Sequence, residues 1–302
     1  WKQMFHEVWR LQRDHFWREN MSGINWKEVY DLYFLLIDRV SCRREFGDLV
    51  WEMQGELGTS HCYDIGGDYR ESPHYQIGML GADFLWEPKK NGYKVNALCK
   101  GPLMVVGKGA PLFQPGLNIE VGDILLEINR EPLSEAITPN EKLLNKAKQE
   151  VEIKVLHKRT GEMGRYQTKA LGSERVLRYY DWVEKNREYI KVKTEGRVGY
   201  VHIPDMGYAG YAEFYRSYLK DYDNDGLIID IRFNAGGMVS QLLLRQIVME
   251  RVGIDVSRWF KASPYPNLSP AGPMVALTNE YAGSDGDIFS HCFKLYKLGP
   301  LI

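Results

Sequence analysis

The run Leu227-Ile228-Ile229-Asp230-Ile231-Arg232 constrains this chain most. Near-continuous apolar residues, rather than alternating ones, mark a strand buried on both faces, as in a parallel sheet covered by helices. Asn234-Ala235-Gly236-Gly237 then turns the chain, and Met238–Arg251 reads as a helix. Val198–Ile203 and Met274–Thr278 are further buried strands, with helices near Ala212–Leu219 and Asp287–Leu298. Ser173 is expected to cap a helix presenting Val176, Leu177, Tyr180 and Val183 on one face. Strands alternating with helices over residues 172–302 imply mostly parallel pairing.

The rest of the chain has a different character. Residues 1–57 read as helices. Trp1, Met4, Phe5, Val8, Leu11 and Phe16 recur at helical steps until Ser22-Gly23 breaks the run. Asn25 can cap a second helix carrying Trp26, Val29, Tyr30, Tyr33, Ile37 and Val40. A third covers Asp48–Glu56, with Gly58 as its stop. Core packing accounts for these aromatics. Residues 76–171 carry short β-type runs between turn signals: Ile77–Leu85, Leu103–Val106, Ile124–Asn129 and Val151–His157. One helix, around Asn140–Lys148, interrupts them.

With 302 residues and 44% hydrophobic content, the chain can bury a sizeable core in two or three domains. A net charge of −1 without a polybasic block gives no reason to expect nucleic acid or an anionic membrane as partner. No apolar run approaches the ~18 residues of a membrane span. Cys42, Cys62, Cys99 and Cys292 lie far apart, with no CxxC pair, which points to a reducing, cytoplasmic setting. The abrupt ends at Trp1 and Ile302 read as those of a fragment. No cofactor or metal is implied. His6 and His15, or His61 and His74, lack zinc-site spacing. Asp221, Asp223 and Asp225 begin like a calcium loop, but its closing position is Arg232. Gly107-Lys108-Gly109 lacks the spacing and the Ser/Thr of a phosphate loop.

Three short segments could carry chemistry. Gly283-Ser284-Asp285-Gly286 lies between a buried strand and a helix. That puts Ser284 at a helix N-terminus, where free N–H groups favour developing negative charge. The Asp285 amide could donate to an oxyanion formed beside Ser284. Gly236-Gly237 turns at the end of another strand, and the Gly237 amide could be a second donor. Gly58-Thr59-Ser60-His61 follows a helix stop, and the His61 imidazole could take a serine proton. Each alone is ordinary: a loop, a tight connection, a solvated histidine.

Their order and setting are less ordinary. Gly122-Asp123-Ile124-Leu125-Leu126-Glu127-Ile128-Asn129-Arg130-Glu131-Pro132-Leu133 resembles the central hairpin of a PDZ domain. In that family a peptide adds as a strand and backbone amides take its terminal carboxylate. The matching loop would lie near Ile77–Phe84 and departs from the usual Gly-Leu-Gly-Phe pattern. The series Thr59-Ser60-His61, PDZ-like module, Gly199–Met206, Leu227–Gly237 and Gly283–Asp285 resembles the tricorn-type branch of the C-terminal-processing protease superfamily over nearly the whole chain. The resemblance implies a multidomain α+β chain. Residues 1–75 would be the helical part of the catalytic unit, 76–171 a PDZ-like β domain, and 172–302 a crotonase- or ClpP-like α/β catalytic region.

It further implies a serine peptidase hydrolysing peptides through an acyl-enzyme on Ser284. His61 would be the general base, Ser60 the hydroxyl that orients it, and Gly237 and Asp285 the oxyanion amides. Asp255 would be an acidic residue in the P1 pocket, contributed across a contact in a homo-oligomer, and would favour a basic P1 side chain. The family's supporting Glu would fall beyond Ile302. The Ser-Lys dyad of the processing branch is not matched, because no Lys stands in the nucleophile turn. Two other readings compete. One is a catalytically idle protein binding peptide tails in the PDZ-like groove; the other is a crotonase-like acyl-transfer enzyme, which also pairs two oxyanion amides.

Overall fold

The computed structural model describes residues 1–70, 72–101 and 109–302. It divides into two compact units, Trp1–His74 and Tyr75–Ile302. The first contains α1 (Lys2–His15), α2 (Trp26–Phe34) and α3 (Arg43–Gly55). Phe5 and Trp9, one turn apart on α1, enter a core with Trp26, Ile37, Phe46, Val50 and Met53. Trp1, Met4 and Leu11, expected on that face, are exposed instead. The buried indoles bond reciprocally: Trp9 Nε1 donates to the Trp26 carbonyl at 2.7 Å, and Trp26 Nε1 to the Trp9 carbonyl at 2.9 Å. Asn25 caps α2 by accepting from the Glu28 amide. That helix stops at Phe34, so Ile37 lies in a separate 3₁₀ turn and Val40 outside it. The third helix begins at Arg43, ahead of the expected Asp48.

The second unit opens with an antiparallel sheet. Its strands are β1 (Ala82–Glu87), β2 (Gly92–Leu98), β3 (Ile124–Ile128), β4 (Glu131–Pro132), β5 (Glu150–Leu156) and β6 (Met163–Lys169). They are ordered β1-β2-β3-β5-β6, with β4 also on β3. Leu80, Val95, Leu125, Ile128, Ile153 and Val155 fill the core. Asn129 and Arg130 both take positive φ, 53° and 66°, which closes the β3–β4 hairpin within the expected 122–133 segment. The strand expected from Ile77 begins only at Ala82; Ile77 and Met79 make single bridges to Leu144 and Leu171. The helix expected over 140–148 is only α4 (Pro139–Lys142), because Asn145 and Lys148 adopt positive φ. The strand expected at Leu103–Val106, and Gly107-Lys108, lie outside the described residues.

The chain continues through α5 (Arg175–Lys193), β7 (Val198–His202), α6 (Tyr208–Asp221), β8 (Gly226–Asp230), α7 (Ser240–Ile247), β9 (Gly253–Asp255), β10 (Ser263–Tyr265), β11 (Met274–Leu277) and α8 (Asp285–Leu295). Strands β11-β8-β7 form a parallel sheet, as the apolar runs require. Its core holds Val201, Phe214, Ile229, Leu243, Ala276 and Phe289. Leu301 continues it beside Ala276. The N-cap of α5 is Glu174 rather than Ser173, and of the expected face only Leu177 is buried. Helix α7 is shorter than Met238–Arg251, because the Met238 and Val239 amides go to the Met206 carbonyl. The architecture is thus multidomain α+β: a helical region, a β domain and a mixed α/β region. Among the described residues no helix is long and apolar enough to cross a membrane.

Candidate active site

Ser284 is the N-cap of α8, at φ 53° and ψ −123°. A non-glycine residue there is strained by its Cβ, and strain of this kind collects at functional sites. A sharp strand-to-helix turn with this strain is how a nucleophile elbow exposes a serine hydroxyl. Ser284 is exposed, and its side chain makes no capping bond to its own helix. The hydroxyl is therefore not spent on structure.

The turn after β8 packs directly against it. Gly236, at φ 99°, lies so close that a Cβ there would sit 2.6 Å from Ser284 Cβ and 2.8 Å from the Asp285 nitrogen. Glycine is required at this approach. Asn234, fully buried, joins the two turns. Its Oδ1 accepts from the Gly236 amide at 2.9 Å, its carbonyl from the Gly283 amide at 2.9 Å, and its Nδ2 donates to the Ile203 carbonyl at 2.9 Å. The Asp285 carboxylate, 8% exposed as a residue, accepts from the Ser240 amide at 2.9 Å and hydroxyl at 2.5 Å. It thereby caps α7 from the start of α8. The amides of Gly237 and Asp285 have no acceptor among the described residues. Two unbonded donors beside an uncommitted serine can stabilise an oxyanion.

Behind the turn, Asp230 is fully buried and bonds Arg232 through Nε and Nη2, and the Tyr200 hydroxyl at 2.7 Å. The Asp230 carboxylate raises the Arg232 guanidinium above its ordinary range. Buried His202 faces the Tyr179 hydroxyl with Nδ1 and the Arg232 carbonyl with Nε2, so these partners assign the proton to Nε2. Burial lowers the His202 pKa below its ordinary 6.5. The unfolded chain then takes a proton that the folded one refuses. His202's contribution to stability is complete above about pH 6.5 and lost as pH falls through the folded pKa. Thermal midpoints should drop across that acidic range, and His202→Gln should flatten part of the drop. An unchanged profile in the variant would refute this role.

The other expected residues lie on other segments of the chain. Ser60 and His61 are in the first unit, in the irregular segment after α3, while Ser284, Gly237, Asp285 and Asp255 are in the second. His61 is exposed at φ 68°, and its Nδ1 lies 3.0 Å from Ser60 Oγ, which leaves Nε2 unpaired among the described residues. Asp255 is exposed on β9, opposite Ser263 of β10, with no ion pair among the described residues. Asp221, set aside as a calcium ligand in the sequence, bonds Arg187 and the Tyr200 amide. Reasoning from sequence missed the clamp of Asn234, the packing of Gly236 against Ser284 and the cap on Ser240. An Asp directly after a helix-opening serine was the signal for the last.

Comparisons with known proteins identify the family. The Tricorn protease C1 domain matches residues 1–55, the Tricorn protease PDZ domain 78–173 and Peptidase family S41 197–302. A tricorn protease homolog of Saccharolobus solfataricus is 42% identical over 100% of this chain and 28% of its own length. The tricorn protease of Thermoplasma volcanium is 38% identical over 99% of this chain and 29% of its own. The crystal structure of the tricorn protease superposes with a TM-score of 0.92 at 36% identity, covering 99% of this chain and 29% of that one. The chain spans 26–34% of the length of the curated relatives it matches. Domain by domain and along its whole length, the chain belongs to the tricorn branch of the tricorn protease superfamily of serine peptidases.

Proposed function

We propose that this chain carries the catalytic core of a serine peptidase that cleaves peptides through an acyl-enzyme on Ser284. The observation that carries the reading is Ser284 at positive φ, its hydroxyl uncommitted, against a turn whose Gly237 amide and its own Asp285 amide are both unbonded. His61 Nε2 takes the Ser284 proton as Oγ attacks the substrate carbonyl. Ser60 Oγ, 3.0 Å from Nδ1, orients the ring. The oxyanion is held by the two amides. Its collapse breaks the C–N bond, and His61 returns the proton to the departing amine. Water, deprotonated by His61, then attacks the ester, and Ser284 leaves with its proton restored.

Asp255 would supply negative charge to a P1 pocket and favour basic side chains there. Its position on an exposed edge hairpin suits a residue offered to a neighbouring copy in a homo-oligomer. Residues 1–75, 76–171 and 172–302 are read as three domains, the last with a crotonase- or ClpP-like sheet. Its parallel order β11-β8-β7 supports this. Four unpaired cysteines suit a reducing cytoplasm, and the near-neutral charge suits peptide rather than nucleic-acid partners.

A fluorophosphonate probe tests the core in the full-length protein. Ser284 should be labelled, Ser284→Ala should abolish the label, and His61→Ala should slow it about 10²–10⁴-fold. A folded wild type that does not react, or a label that survives Ser284→Ala, would sink the proposal.

A further inference from the structure

We propose that Glu174 is an internal ligand of the PDZ-like module: its carboxylate occupies the place of a peptide's terminal carboxylate and keeps the module closed to peptide tails. Gly81, at φ 75°, ends the loop that leads into β1. Its amide donates to Glu174 Oε1 at 2.6 Å, across 93 residues of sequence. Glu174 stands at the N-cap of α5 but makes no capping bond to its own helix. Its other oxygen accepts from Arg178 Nε at 2.7 Å, and Arg178 Nη2 reaches Asp83 of β1 at 2.8 Å. A backbone amide and a guanidinium converging on one carboxylate are the chemistry that captures a chain terminus. The Glu174 side chain is only 9% exposed, so this is a seated group and not a surface encounter.

The surroundings fit a strand-adding peptide. Among the described residues β1 is an edge strand, paired only with β2. A groove of about 510 Å³ runs between β1 and α4. Leu80, Ala82 and Phe84 line it from the β1 side and Pro139 and Leu143 from the α4 side, and Glu174 and Arg178 are also part of its lining. An extended peptide laid beside β1 would bring its carboxylate to the Gly81 amide, where Glu174 already sits. It would have to displace a tethered competitor at high effective concentration. Only the fraction of molecules with Glu174 released can bind, which lowers apparent affinity in proportion. The same contact ties the first turn of α5 to the start of β1. The module therefore acts as a clamp on the helix that leads into the α/β region.

None of this depends on the peptidase reading, so binding alone tests it. Fluorescence anisotropy would use a fluorescein-labelled pool of short peptides ending in free Leu, Val or Phe, against the same pool amidated, with the full chain. Glu174→Ala should bind the free-acid pool at least about tenfold more tightly than wild type and gain nothing for the amidated pool. Glu174→Gln keeps an acceptor for Gly81 but loses the charge that holds Arg178, and should fall between. Equal affinity of wild type and Glu174→Ala, no preference for the free acid, or no binding by a variant folded by circular dichroism overturns the proposal. If Glu174→Ala does not fold, Glu174→Gln decides: affinity above wild type supports the clamp, and unchanged affinity rejects it.

Discussion

Replacing Gly237 by Ala is expected to lower kcat by about 10²–10³-fold, the loss typical of one oxyanion donor. A Cβ at this position would stand 2.1 Å from the Met206 carbonyl oxygen and 2.3 Å from its carbon. Those are backbone atoms with no rotamer to change. The Met206 carbonyl also holds the Met238 amide at 2.7 Å and the Val239 amide at 3.1 Å, while the Met206 amide donates to the Gly236 carbonyl at 2.9 Å. Relief must come from moving the Gly236-Gly237 turn, which swings the Gly237 amide away from Ser284. Gly161→Ala is the control. It too has positive φ, 72°, but nothing lies within 4 Å of the added atom. It should cost only local strain, about 1 kcal/mol, with no change in turnover. Rates of probe labelling and peptide hydrolysis, with thermal midpoints for both variants, separate the effects. A Gly237→Ala protein that labels as fast as wild type would remove this amide from the mechanism.

How far the chain could be read before its structure follows from which forces are local. The β8 strand and its turn were legible because burial on both faces leaves a continuous apolar run, and Gly236-Gly237 marks a backbone that must come close to something. The helix after Ser284 was placed two residues late, yet the serine still fell at a strand-to-helix junction. By contrast β6 was invisible. In Met163–Lys169 only Thr168 is buried, so no apolar alternation announces it. On α1 the right period comes with only part of the right face: Phe5 turns inward as expected, but Trp9 and not Met4 or Leu11 joins it, fixed by a partner indole seventeen residues away. Helix 140–148 was overextended because Asn145 and Lys148 take left-handed conformations that helix propensity alone does not reveal.

The site divides in the same way. Ser284, His61, Gly237 and Asp285 were proposed from residue type and turn position together with the family resemblance that their order along the chain carries. The contacts that hold them were not, since each is a side chain reaching distant backbone. The Asp285 carboxylate spans 45 residues to Ser240, and Asn234 spans 31 to Ile203. Glu174 is the extreme case, reading as an unremarkable acid at the start of a helix until its bond to Gly81 is seen. Sequence patterns report periodic burial well and pairwise polar satisfaction poorly.

That distinction makes Asn234 the sharper test of how the site is held. Asn234→Ala leaves the buried Ile203 carbonyl and the partly buried Gly236 amide without their partner. Each orphaned group costs about 1–3 kcal/mol. Asn234→Asp keeps the shape and the acceptor for Gly236 but sets a second carboxylate oxygen against the Ile203 carbonyl. An unpaired buried charge of this kind costs about 3–5 kcal/mol, so the isosteric change should be at least as damaging as truncation. If Asn234 served only as packing, Asp would be the milder substitution. The kinetic signature should differ from general destabilisation as well. Freeing the Gly236 amide loosens the turn that presents Gly237, and in the proposed mechanism that amide matters most when the oxyanion forms. In protein kept folded well below its thermal midpoint, kcat should therefore fall while KM changes little. A variant that loses midpoint temperature but keeps wild-type kcat would mean that the two turns hold their geometry without the asparagine between them.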